Sequence, residues 1–487
     1  MNIVWIKKDC RVSDHPALLE ASKKGPCVAV YVVEPDLWKQ PDMSWRHYFF
    51  LKGALSSLHK HLAKRGIGLL IRKGSITAVL DQLLHQFKQI SLFSNEETGN
   101  NWTYQRDKAV RKWANFRGVT WQEFPQNGVI RRLKDRDGWA KKWAFFMTQK
   151  IEDVLPQTPI SSTQESFTFP SATKLGLVTE TGHEFQQGGE DHALTKLTSF
   201  LNERGEHYSK EMSSPVTAYD SCTRLSPYLS FGCISMRQMY QLMKQKQDHI
   251  KKLPRPQRGG WAFSLQACLG RLRWHCHFIQ KLEDEPSMEY QSLHSAYRHL
   301  DMYDYHEQVY QLWKEGKTGF PLVDACMRSL KVTGWLNFRM RAMIVSVGCH
   351  HLQLPWKVVA HHLATQFTDY EPGIHYSQCQ MQAGVTGMNA IRIYNPIKQG
   401  YDHDPEGIFI KKWVPELVGL PKEHVCEPWA FDWNIAPPIV DEKISRQNAA
   451  KRLYQIRKTL DTKAETMSLL SKHGSRRKLH IKRSKNR

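Results

Sequence analysis

In Ser221-Cys222-Thr223-Arg224-Leu225-Ser226-Pro227-Tyr228-Leu229-Ser230-Phe231-Gly232, a serine–proline pair stands directly before an apolar run. Serine is a favoured N-cap and proline is favoured at the first helical position, so Ser226-Pro227 predicts a helix start. The free N–H groups of that start, with Thr223 and Arg224 just upstream, make a candidate site for an anion such as a pyrophosphate. An ordinary capped helix has the same spacing.

From Gly188 onward β-branched runs vanish and helical patterning takes over, as in Asp191 to Leu201 and Ala262 to Leu282. This predicts a large all-α domain over 188–445. Before it, residues 131–187 are rich in Thr, Ser, Pro and Gln around Pro156 to Pro170, lack a sustained period, and read as a linker. Residues 1–130 alternate short apolar runs (Ile3 to Ile6, Val28 to Val33, Leu69 to Ile71, Ile90 to Phe93) with amphipathic stretches such as Tyr48 to Leu62. That rhythm predicts an α/β domain, a Rossmann-like parallel sheet with crossover helices. Residues 446–487 hold a last amphipathic helix and a basic tail, with Arg476-Arg477-Lys478 and Lys482-Arg483. Such a like-charged block is normally self-repelling.

The length of 487 residues gives a prior of about three domains, and a 41% hydrophobic share suffices for sizeable cores. With 69 Lys and Arg against 47 Asp and Glu, the net charge of +22 points to a polyanionic partner, nucleic acid before membrane. No run approaches the roughly 18 apolar residues of a membrane span. The chain opens directly on Asn2-Ile3-Val4-Trp5-Ile6 with no leader pattern, so a cytoplasmic, monomeric protein is expected. Ten cysteines contain no Cys-x-x-Cys pair, which fits a reduced compartment and no metal. His275-Cys276-His277 are sequence neighbours whose side chains splay on a helix, so they make a poor ligand set.

Two phosphate motifs fail. Gly316-Lys317-Thr318 has Gln311 where a phosphate-binding loop needs its first glycine, and it follows no strand. No Gly-x-Gly-x-x-Gly follows a strand either, which argues against a Rossmann dinucleotide site.

The segment Ser221–Gly232 resembles the flavin phosphate motif of photolyases and cryptochromes. Trp5 through Leu18 resembles that family's opening signature. Further matches are Gly188-Gly189-Glu190 with Ala193, Trp313 through Met327, Gly334-Trp335 with Arg339 and Arg341, and Arg392 through Leu417. In order and spacing they run to about residue 445, and the pattern is most similar to a divergent bacterial branch. The resemblance implies an N-terminal domain with room for a second, antenna chromophore of unassigned identity, and a helical domain that buries FAD beneath a positively charged cavity. Carried over by position, Tyr208, Thr223, Arg224, Leu225 and Ser226 would hold the flavin phosphates, with Cys222 in place of a usual threonine. Arg341 and Asp369 would pair beside the isoalloxazine ring, with Glu371 as the second acid of the motif and His375 facing flavin N5.

The resemblance also exposes departures. Trp356 matches the middle tryptophan of the family's electron-transfer chain, whereas Cys379 and Tyr303 replace the other two. On the lesion-facing helix Trp274 is kept, but the acid that hydrogen-bonds a pyrimidine dimer has become Arg271. Met381 replaces an aromatic of the lesion pocket. Arg271, Trp274, His375 and Met381 are therefore the catalytic candidates, and Arg271, Trp274, Arg339 and Met381 the DNA contacts. The implied activity is deoxyribodipyrimidine photolyase: light-driven splitting of cyclobutane pyrimidine dimers in DNA by electron transfer from reduced FAD. A cryptochrome-like blue-light photoreceptor is the alternative. A (6-4) photolyase is disfavoured because Phe338 and Ala342 occupy the positions of its histidine pair.

Overall fold

The computed structural model describes residues 1–458 and 460–475. Five strands, β1 (Asn2–Ile6), β2 (Cys27–Val33), β3 (Gly68–Lys73), β4 (Ser91–Asn95) and β5 (Trp121–Phe124), form one parallel sheet in the order β3-β2-β1-β4-β5. Val4 lies opposite Ala29 on one side and Phe93 on the other. Both faces are covered, which is why β2 is buried along its whole length. Ile3, Trp5, Val28, Val30, Leu70 and Leu92 pack against Ile76, Leu80 and Val110 of the helices Ile76–Phe87 and Asn101–Arg117. The alternate residues Val4, Ile6, Ala29, Tyr31 and Phe93 share a core with Leu51, Leu55 and Leu58 of the helix Trp45–Ala63.

That second core continues without a break into Leu225, Tyr228, Phe231 and Leu272 of the helical part. Gly232 marks the closest approach. Its φ is +63°, and a Cβ there would lie 2.2 Å from the Lys8 carbonyl oxygen. The neighbouring backbone closes the seam, with Cys10 N–H donating to Phe231 O at 3.1 Å and Arg11 Nη1 to Gly232 O at 3.0 Å. Buried Arg46 adds a second seam by donating to the carbonyls of Leu330, Lys331 and Gln366 and to Glu180.

Residues 131–187 contain one α-helix, Trp139–Thr148, whose Trp139, Trp143 and Met147 recur every four residues and are buried, and two short 3-10 turns, Ser161–Thr163 and Ala172–Leu175. The polar composition on either side hides this short period. The helical part then runs from Glu190–Ser199 to Leu460–His473. Its last helix is anchored by Leu469 against Leu282, Met288 and Leu293. The basic run from Arg476 onward lies outside the described residues. Among the described residues no helix is long and apolar enough to cross a membrane.

Candidate active site

The helices Ser226–Ser230, Trp261–Asp284, Phe338–Ser346 and Pro372–Gln382 surround a cavity of about 390 Å³, within the usual range of about 300–1,000 Å³ for small-molecule pockets. Tyr208, Thr223, Arg224, Ser226, Arg271, Trp274, Arg339, Arg341, Asp369 and His375 all line it. They come from segments separated by as many as 167 positions, and the fold brings them to one space.

Ser226 does not cap its helix as expected. It is the first helical residue, the cap position belongs to Leu225, and no side chain caps the start. Ser226 instead lines the cavity beside the buried Asp369 carboxylate and helps to hold that carboxyl below its ordinary value. Leu225 is fully buried in the core rather than in the cavity lining. Arg224 adopts a left-handed φ of +59° and lies between the rings of Tyr219 and Trp335, 3.9 and 4.1 Å from their centroids. One guanidinium nitrogen donates to Gln186 Oε1 at 3.1 Å, while Nε and Nη1 are buried without a partner among the described residues. A buried guanidinium with free donors is chemistry that an anion completes.

Asp369 receives both ends of the Arg341 fork, at 2.9 and 2.7 Å, and Arg341 Nε donates to Leu336 O at 2.7 Å. Phe367 stacks 4.0 Å from the guanidinium carbon. Burial pushes the Asp369 carboxyl up, but the Arg341 charge and hydrogen bonds outweigh it and hold the group below its ordinary value. The result is a fixed, partly neutralised cation in the cavity wall.

His375 donates from Nε2 to the Ala360 carbonyl at 2.8 Å, which leaves Nδ1 as an acceptor. Burial lowers its pKa to about 4, so the ring is neutral at physiological pH. Cys379 Sγ sits 3.7 Å from the same ring. On Pro372–Gln382 the cavity side chains Ile374, His375, Gln378, Cys379 and Gln382 form one helical stripe. Met381, expected in the lesion pocket, lies about a quarter-turn from the centre of that stripe and outside the lining. Glu371, expected near the cofactor, turns the other way. It lines a small cleft between the sheet domain and the helices, with its carboxylate 3.8 Å from Lys8 Nζ.

At the exposed rim, Trp274 stacks on Phe278 with centroids 5.6 Å apart. Arg271 is solvent-exposed, 5.2 Å over Phe338, and no carboxylate pairs with it among the described residues. His275, Cys276 and His277 splay as their spacing requires: His275 faces the cavity, while His277 sits between Trp139 and Trp274. Trp356 is buried, its indole N–H donating to Asp301 at 2.7 Å, and Tyr303 is half-buried; neither lines the cavity. Residue-by-residue reasoning missed His275, Gln378, Gln382 and Trp335 as lining groups. The i, i+4 spacing of Gln378 and Gln382 on the helix bearing His375 is the signal that finds two of them.

The architecture is a parallel-sheet domain joined to a helical domain whose cavity presents a buried guanidinium with donors unsatisfied among the described residues. A family model described as DNA photolyase matches residues 2–150, and one described as FAD binding domain of DNA photolyase matches residues 268–455. The chain belongs to the photolyase/cryptochrome family, and its helical part is the FAD-binding domain. Its relatives include both of the family's namesakes. It is 28% identical to cryptochrome-2 of Arabidopsis thaliana, over 93% of this chain and 79% of that one. It is 25% identical to a deoxyribodipyrimidine photo-lyase of Alkalihalophilus pseudofirmus, over 92% and 97%. The fold matches that of a bacterial class III photolyase from Agrobacterium tumefaciens with a TM-score of 0.81 at 23% identity, covering 94% of this chain and 98% of that one.

Proposed function

We propose that this protein splits cyclobutane pyrimidine dimers in DNA with light. The observation that carries the reading is the cavity itself, with the Arg341–Asp369 pair in its wall and Trp274, Arg271 and Arg339 toward its mouth. Tyr208, Thr223, Arg224 and Ser226 are suited to the FAD phosphates, and the unsatisfied Arg224 donors fit such a group. FAD held there would supply, in its reduced form, the photoexcitable electron donor that this chemistry needs. Arg341 sets a positive charge beside the site, and His375 presents a neutral acceptor. Trp274 offers a face on which an extruded base stacks, and a damaged, poorly stacked site is the cheapest to extrude. Arg271 offers several donors and a charge where negative charge develops on a dimer carbonyl. The net charge of +22 holds the DNA backbone.

One observation favours the alternative, a blue-light photoreceptor: the acid expected at position 271 is an exposed arginine. A (6-4) activity is opposed by Phe338 and Ala342, which line the cavity and have no proton to exchange. The crevice at the carboxyl ends of β1 and β2, where an antenna would sit, measures about 60 Å³, well below the usual size of a small-molecule pocket.

The deciding experiment illuminates holoprotein carrying chemically reduced FAD with thymine-dimer oligonucleotides. Restoration of thymines is expected. Tight binding of damaged DNA with no repair after full reduction would replace this function with the photoreceptor.

A further inference from the structure

Between Asp369 and Glu371 stands Tyr370, whose ring is only 6% exposed. Its hydroxyl donates to Asp42 Oδ2 at 2.6 Å, a contact between residues 328 positions apart. Asn100 Nδ2 donates to the same oxygen at 2.9 Å, while Asp42 Oδ1 is buried with no partner among the described residues. The carboxylate is thus oriented by two hydrogen bonds, with an acceptor site to spare. On the cavity side, the Tyr370 ring meets His375 edge-on at 5.2 Å, and His375 lines the cavity. Tyr376 lies 6.4 Å from Tyr370 and 6.5 Å from Trp356. One ring therefore separates Tyr370 from the cavity, whereas Trp356 stands behind Tyr376.

A phenol buried this deeply cannot lose its proton first, because burial holds its pKa well above the ordinary range. Losing an electron first would leave a cation in a low-dielectric interior. Oxidation becomes accessible when electron and proton leave together toward a base already in place. Among the aromatic side chains in this wall, Tyr370 carries a short hydrogen bond to an otherwise underused carboxylate.

We propose that Tyr370 is the electron donor that reduces oxidised flavin in light, with Asp42 accepting its proton. The inference rests on FAD occupying the cavity and is independent of dimer splitting. One electron passes from the phenol to photoexcited oxidised flavin; the phenolic O–H bond breaks and a new O–H bond forms at Asp42 Oδ2. The products are a neutral tyrosyl radical and a protonated Asp42. An external thiol reductant returns the electron, and the proton returns to the phenolate oxygen.

The test is flash photolysis of oxidised holoprotein, followed by electron paramagnetic resonance and transient absorption in light and heavy water. Wild type is expected to show a neutral tyrosyl radical and a solvent isotope effect on its formation. Tyr370→Phe should lose that signal. Asp42→Asn keeps the phenol and a hydrogen-bond partner but removes the base, and should lower the photoreduction yield about tenfold, the scale of a charge-assisted hydrogen bond. A wild type showing only a tryptophan radical, or a yield unchanged in Asp42→Asn, overturns the proposal; the latter decides the question even if Tyr370→Phe fails to retain FAD. Both variants should split dimers normally after chemical reduction, so a repair defect there would count against the proposed function and not against this donor.

Discussion

Arg341 and Asp369, 28 positions apart in sequence, meet through two parallel hydrogen bonds of 2.9 and 2.7 Å in the wall of the cavity. The pair links the helix Phe338–Ser346 to the turn before Pro372–Gln382, and the Ser230 hydroxyl ties a third segment to the same residue by donating to the Asp369 backbone carbonyl. Removing the cation leaves a buried anion with only the weaker influence of Arg224 to offset it. Breaking a buried pair costs about 3–5 kcal/mol, and the 28% exposure of the Arg341 side chain places this one at the low end.

Arg341→Ala should therefore lower apoprotein stability and the FAD bound per chain, read from denaturant midpoints and from flavin absorbance after gel filtration. The depressed Asp369 pKa adds a pH signature. Its stabilisation is present above the unfolded value near 3.8 and is lost as pH falls through the lower folded value. In Arg341→Ala the acid-unfolding midpoint should move to higher pH. Arg341→Lys should recover the charge but not the two-pronged geometry, and so only part of the loss. Wild-type FAD retention in the alanine variant would remove Arg341 from the flavin site.

Buried histidines set a second pH dependence. His47, His275 and His375 are all lowered from 6.5 to about 4 by burial. The folded protein keeps them neutral while the unfolded chain takes up protons below about 6.5, so stability should fall as pH drops from about 6.5 to about 4. His375→Gln should flatten that slope. Urea midpoints measured across this interval provide the check, and equal slopes in both proteins would mean that His375 is charged in the fold.

At the mouth, Trp274→Ala should erase preference for damaged over undamaged DNA by about 1–3 kcal/mol, the worth of one base stacked on an aromatic ring. Arg271→Ala should lower the repair yield per absorbed photon more than it lowers affinity. Quantum yields and competition binding on the same oligonucleotides separate the two effects. The opposite ordering for Arg271 would make it a backbone contact.

The basic C-terminus should supply salt-dependent binding. Lys472 pairs with Glu285 at 2.6 Å and His473 is fully buried, so a clean truncation begins at Arg476. Removing the seven Lys and Arg from Arg476 to Arg487 should flatten the dependence of log affinity on log salt and leave lesion preference intact. Loss of lesion discrimination in that variant would place these residues in the recognition site.

Local pattern was enough for the class of fold. The runs at Ile3–Ile6 and Val28–Val33 could be buried only in a parallel sheet covered on both faces, and the loss of β-branched runs after Gly188 announced helices. The Arg341–Asp369 partnership was also legible, though through family resemblance. Short elements were less so: the Trp139, Trp143, Met147 stripe lies within polar sequence, and Ser226 looked like a cap because its spacing matches one. Tertiary structure instead put Leu225 at the cap position and Ser226 in the cavity wall near Asp369. It also set the phase of Pro372–Gln382, which turns Gln378 and Gln382 into the cavity and Met381 out of it. A helix's own sequence limits which residues share a face, but the neighbours against which it packs choose the direction. The Tyr370–Asp42 contact was beyond sequence altogether, because its two residues belong to different domains and meet only after the sheet and the helices have closed on a common core.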